Sequence, residues 1–240
     1  MNIPKAILFD LGDTIIQYSD FDPSRGNKEL LKYCKHAHSN IERDIDSLGK
    51  ELSEYITSKR DETRVEHTCQ SFQRLLFALL NVEIELTPLE MELIFNQHAF
   101  TRKVMPGIIE FLDFVREKGI RVAILSNSSF SGEALEAEVK ALSIPNDFEF
   151  IVSTADYCLR KPDPRIFKVC LNKLNLDKDE VWYVGNKLEY DVLGANNAGM
   201  QAIWFNLLNE ENSYDYDCIM VRSYKALEAL IDSCGFCAKF

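Results

Sequence analysis

Short apolar runs rich in β-branched and aromatic residues recur along the chain: AILF (6–9), RVAIL (121–125), EFIVS (149–153), VWYV (181–184) and QAIWF (201–205). Their length and near-continuous apolarity suit parallel strands buried on both faces. Helical periodicity fills the gaps between the later runs. Residues 107–119 carry apolar side chains at helical spacing and end on Gly119, a favourable C-terminal residue. Residues 163–175 open with Asp163 as N-cap and Pro164 in the first turn, and residues 190–200 end near Gly199. Strands alternating with helices predict a doubly wound, Rossmann-like α/β sheet.

Residues 17–104 break the alternation. Amphipathic patterns dominate there, as in residues 71–86 and 87–100, the latter with Thr87, Pro88 and Glu90 set for a capping box. This predicts a core of residues 1–16 and 105–240 and a strand-free helical bundle, residues 17–104, inserted after the first strand.

Composition narrows the function. The 240 residues are 46% hydrophobic and carry a net charge of −11. A surface that acidic argues against nucleic acid and anionic membranes as partners, which need clustered Lys and Arg. No apolar window approaches the ~18 residues of a membrane span. The opening MNIPKAILFD lacks the pattern of a signal peptide. Seven cysteines, an odd number, fit reduced thiols in a cytoplasmic protein. Cys234 and Cys237 form a CxxC without a second pair or nearby histidines, so ordinary thiols are favoured over a zinc or redox site.

Four strand ends, or the loops after them, carry polar residues: Asp10 and Asp13; Ser126 and Asn127; Arg160 and Lys161; Asn186 and Asp191. A single strand-end Asp or Ser is usually a turn or cap residue, and Asp13 alone could be one. Ligands in open α/β sheets, however, bind at the carboxyl ends of the strands. ILFDLGDTI, AILSNSS, RKPDPRIF and VGNKLEYDVLGANNAGM, in this order, resemble the four motifs of the haloacid dehalogenase-like hydrolase superfamily, and residues 17–104 resemble its helical cap.

The resemblance implies a hydrolase in which Asp10 is a carboxylate nucleophile that forms an aspartyl intermediate. Lys161 would pair with it, and Ser126 and Asn127 would bind the substrate's phosphoryl oxygens. Mg2+ would be held by Asp10, the Gly12 carbonyl, Asn186 and Asp191. The substrate would be a small phosphorylated metabolite. Two departures stand out. Family phosphatases mostly carry a second Asp, the general acid, where this chain has Gly12, with Asp13 next in line as a stand-in. Their fourth motif usually begins Gly-Asp, whereas this one reads Gly185–Asn186. Fewer carboxylates imply weaker magnesium binding. Both departures also resemble the metal-independent 2-haloacid dehalogenases, although no halide cradle is legible, and a catalytically weak binding protein is a third reading. Arg25 and Lys103, near the two ends of the insert, are candidates by position for substrate selection.

Overall fold

The computed structural model describes residues 2–36, 39–145 and 148–236. Strand β1 (Ala6–Phe9) is wholly buried. A loop then leads to β2 (Ile16–Ser19) and to helices α1 (Pro23–Leu31), α2 (Ile41–Thr63), α3 (Cys69–Leu79) and α4 (Pro88–Ala99). The expected capping box starts α4: Thr87 Oγ1 accepts the Glu90 N–H, and Glu90 accepts the Thr87 N–H at 2.8 Å. Strand β3 (Thr101–Val104) returns antiparallel to β2, pairing Ile16 with Val104 and Ser19 with Thr101.

This ribbon corrects the expectation of a strand-free insert. Its strands are four residues long and mostly polar, so neither leaves an apolar run in the sequence.

The chain then alternates through α5 (Ile108–Glu117), β4 (Arg121–Ser126), α6 (Gly132–Ala141), β5 (Phe148–Ser153), α7 (Pro164–Leu174) and β6 (Val181–Gly185). A π-turn over Leu188–Val192 feeds α8 (Leu193–Ala198), followed by β7 (Gln201–Phe205), β8 (Ile219–Val221) and α9 (Tyr224–Phe236). Six parallel strands run in the order β5-β4-β1-β6-β7-β8. Strand β1 is therefore central, and the connections diverge around it.

The period-2 alternation divides each strand between two cores. Ile7, Phe9, Ile124 and Trp182 pack beneath α5, α6 and α9. Ala6, Leu8, Leu125 and Tyr183 pack beneath α7 and α8. The insert has its own apolar cluster, centred on Leu30, Ile45, Leu76 and Phe77.

Three carboxylates join the insert and ribbon to the core. Glu66 accepts from Thr154 Oγ1 at 3.0 Å and from Arg160. Fully buried Glu92 of α4 accepts the Ser131 N–H and hydroxyl at 2.8 and 2.6 Å. Glu138 of α6 accepts from Asn96 of α4 at 3.2 Å and from Arg102 of β3. These charge-assisted bonds seat the helices over the carboxyl ends of β4 and β5.

The six described cysteines carry free thiols; Cys237, half of the CxxC, lies outside the described residues. No described helix is long and apolar enough to cross a membrane.

Candidate active site

Asp10 follows the last residue of β1 and extends its ladder, its N–H donating to the Val184 carbonyl at 2.8 Å. This fixes the carboxylate at the carboxyl edge of the central strand. Lys161, from the loop before α7, reaches the same point. Its Nζ donates to Asp10 Oδ1 at 2.6 Å, Asp191 Oδ1 at 2.7 Å and Tyr183 Oη at 2.7 Å. The Lys161 side chain is 2% exposed, so it is a member of a buried charge cluster. Asp191 comes from the π-turn, an irregularity often found where a helix delivers a functional side chain. Its second oxygen accepts the Lys187 N–H at 2.9 Å, and its first also accepts from Tyr183 Oη at 3.0 Å. A Cβ at Gly185 would lie 2.4 Å from Asp191 Cγ, so the glycine is what allows that carboxylate to lie against the end of β6.

Two carboxylates and one ammonium leave this cluster short of positive charge. Burial raises the pKa of Asp10 from an ordinary 3.8 to about 6; Lys161 pulls it down and Asp191 pushes it up. Burial also opposes the charge on Lys161, but Asp10 and Asp191 outweigh it and hold the ammonium protonated. Burial and the same two carboxylates push the Tyr183 phenol well up, keeping it a neutral hydrogen-bond donor.

A stability prediction follows for the protein in chelator. Because the folded pKa of Asp10 exceeds its unfolded value, its ionisation destabilises the fold progressively from about pH 4 to 6. Asp10→Asn escapes this cost. Its stability advantage over wild type, read from Tm, should grow across that window and level off above it, reaching on the order of 3 kcal/mol. Thermal melts from pH 4 to 8 check this; an advantage that shrinks with rising pH contradicts it.

Of the other anticipated residues, Ser126 ends β4 and lines the cavity beside Asp10, 5% exposed. Asn127 lines it too, but its side chain clamps the Lys161 peptide: Oδ1 accepts the Lys161 N–H at 2.8 Å and Nδ2 donates to the Lys161 carbonyl at 3.3 Å. In this arrangement Asn127 positions the lysine. Gly12 and Asn186 line the same cavity, and the Asn186 carbonyl accepts from Trp204 Nε1 at 3.1 Å. Asp13 is exposed at the cavity's edge with φ +53°, and its carboxylate accepts the Tyr18 N–H at 3.4 Å.

Arg25 and Lys103 do not line the cavity. Arg25 is held by the carbonyls of Asp20 and Ala99. Arg60 of α2, Arg160 and Lys187 line it instead. Tyr18, Phe100 and Phe130 add aromatic walls, and the volume is about 380 Å3. Burial, followed by the nearby Glu138 carboxylate, pushes the pKa of the Tyr18 phenol well up.

Sequence reading missed Tyr183, Tyr18 and Arg60. Tyr183 sat inside an apolar strand whose alternation would have set it opposite Leu8. Nothing local marks the other two.

The donors around Asp10 suit a hard cation in kind: all are oxygens, and the cluster has charge to balance. Among the described residues no three His, Cys, Asp or Glu side chains gather into a cage. A divalent ion would therefore rest on Asp10, Asp191, neutral oxygens and water. Magnesium, which keeps several waters, tolerates such a set.

The profile described as haloacid dehalogenase-like hydrolase matches residues 7–205. The glyceraldehyde 3-phosphate phosphatase of Pyrococcus abyssi is 26% identical over 208 residues, covering 84% of this chain and 81% of the relative. The (S)-2-haloacid dehalogenase 1 of Pseudomonas sp. strain CBS-3 is 25% identical, covering 76% and 80%. Among solved structures, a 2-haloacid dehalogenase from Pseudomonas syringae superposes with a TM-score of 0.66 at 19% identity, covering 96% of this chain and 99% of that one. That likeness establishes the fold.

Proposed function

Because this chain belongs to the haloacid dehalogenase-like hydrolases, we propose that it is a magnesium-assisted phosphatase of small phosphorylated metabolites. The observation that carries the reading is the buried Asp10–Lys161–Asp191 cluster facing a polar cavity at the strand ends. The similarity to archaeal phosphatases over most of both chains supports it.

In this reading Asp10 attacks phosphorus, the bond to the leaving oxygen breaks, and water then cleaves the aspartyl phosphate. Lys161 holds the nucleophile in place and offsets charge on the phosphoryl oxygens; Asn127 and Asp191 hold Lys161. Ser126 and neighbouring backbone amides receive the equatorial oxygens. Asp10, the Gly12 carbonyl, Asn186 and Asp191 would hold the magnesium ion, which would supply charge neutralisation between two approaching anions.

The test is phosphate release from an activated aryl phosphate with and without magnesium. Magnesium-dependent release is expected, and its absence across a panel of metabolites defeats the reading.

The chain has no carboxylate at position 12, so alkyl phosphates, which need a proton on the leaving oxygen, should turn over far more slowly than aryl or acyl phosphates. Restoring the acid should correct this. A Cβ at Gly12 meets only Tyr18 ring carbons at 3.6 and 3.7 Å, an ordinary contact, so Gly12→Asp can be accommodated. Gly12→Asp should raise the rate on alkyl phosphates about 10²-fold and change the aryl rate little. Equal gains on both would remove the missing proton donor as the cause.

A second reading has an observation of its own. Arg60 and the Phe100 and Phe130 rings share the cavity with Asp10, a cation and apolar walls of the sort that could receive a halide. Halide release from a 2-haloacid in chelator would establish that reading in place of the first.

A further inference from the structure

A second cavity, about 500 Å3 and more apolar, lies within the helical insert. Phe72 and Leu76 of α3, Phe95 of α4 and Gly49 of α2 line it, together with Asp46, Lys50 and Glu54 of α2 and with His67, and most of the lining surface is apolar. It meets the catalytic cavity at Phe100, Ser129 and Phe130, which line both. The two rings there stand edge to face with centroids 6.0 Å apart. The apolar space thus begins where the polar space around Asp10 ends. A volume of this size is that of a small-molecule site rather than a packing defect.

Gly49 is the second observation. It sits in the interior of the 23-residue helix α2, where glycine is unfavourable. Packing does not require it: a Cβ there would meet only Leu76 Cδ2, at an ordinary 3.7 Å. The missing side chain leaves bare backbone in the cavity wall, where a larger side chain would project into the space.

Resting on the phosphatase reading for the phosphoryl end, we infer that the insert cavity receives the organic group of the substrate, and that the substrate class is aryl phosphomonoesters with apolar substituents, whose leaving oxygen needs no proton donor. The phosphoryl group lies at Asp10 and the hydrocarbon extends past Phe100 and Phe130 towards Gly49.

Non-hydrolysable n-alkylphosphonates, from ethyl to hexyl, titrated calorimetrically into the intact chain with magnesium, test this without any chemical step. Each fully buried methylene is worth roughly fourfold in Kd. Hexylphosphonate should bind at least about thirtyfold more tightly than ethylphosphonate. Gly49→Leu, which fills the cavity, should erase that gain while leaving ethylphosphonate within about twofold. Gly49→Ala should raise Tm by about 2–4 °C, as relief of a mid-helix glycine with room for a methyl predicts. A Kd that is flat along the series, or a gain that survives Gly49→Leu, overturns the inference. So does heat from none of the phosphonates. The aryl phosphate assay separates the two ideas: phosphate release with a flat series defeats the apolar subsite alone. A chain-length gain without release from any phosphate ester leaves the subsite standing and defeats the phosphatase reading, and with it the assignment of phosphomonoesters as the substrates.

Discussion

Asp10→Asn should abolish turnover, with a loss of at least about 10⁴-fold in kcat, because the variant removes the atom that forms the covalent intermediate and no neighbour can replace it. Asp191 is not a substitute: its oxygens are engaged by Lys161, Tyr183 and the Lys187 N–H. Asp13 is exposed and tied to the Tyr18 amide. The change is isosteric, so the folded chain should persist and substrate should still bind. Steady-state phosphate release together with a thermal melt checks this. A folded variant that keeps more than about a hundredth of wild-type kcat would show that Asp10 is not the nucleophile. Trapping settles the same point from the other side: a phosphorylated aspartate found in wild type and missing from Asp10→Asn is the expected pair.

The second large effect is on the fold. Lys161→Met leaves Asp10 and Asp191 buried within reach of one another without their shared cation. Breaking a buried pair this way costs roughly 3–5 kcal/mol, which for a chain of this size lowers Tm by about 10 °C or more. The sign with pH is defined. Asp10, already raised by burial, is costlier still when ionised without the ammonium, so the deficit should be largest above about pH 7 and shrink as acid protonates it. Adding Asp191→Asn to Lys161→Met should restore much of the lost stability and none of the lost activity. Melts and rates on the four members of this cycle measure both. A Lys161→Met variant as stable as wild type at pH 8 would mean that the ammonium does not carry the cluster's charge.

The parts of this arrangement that were legible in the sequence are those encoded locally. Five β-branched and aromatic runs predicted strands that the fold contains, because burial on both faces of a parallel sheet demands an uninterrupted apolar run. Thr87–Glu90 and Asp163–Pro164 marked true helix starts, because capping uses residues adjacent in sequence. Asp10, Lys161 and Asp191 were legible only as parts of an ordered set of motifs, and the structure draws all three to one point.

The features that escaped depend on packing. The β2–β3 ribbon pairs residues more than eighty positions apart, and its polar, four-residue strands carry no pattern of their own. Strand β8, three residues long and only partly buried, is equally silent. Arg60 looks like any surface arginine of a long helix until the insert folds over the sheet. Gly49 likewise reads as a helix defect until the space beside it is known.

Gly185 constrains how this chain could have changed over time. Any side chain at position 185 would occupy the place of the Asp191 carboxylate. Positions 185 and 191 therefore cannot vary independently. A lineage that gained a larger residue at 185 would lose the seat of Asp191, after which substitution at 191 would carry little further penalty. Recovery would then have a fixed order, glycine first and aspartate second, because the aspartate has no value until the strand end is bare. Two single steps that look equivalent on paper are thus unequal in selection, and the path back to the paired state is far narrower than the path out of it.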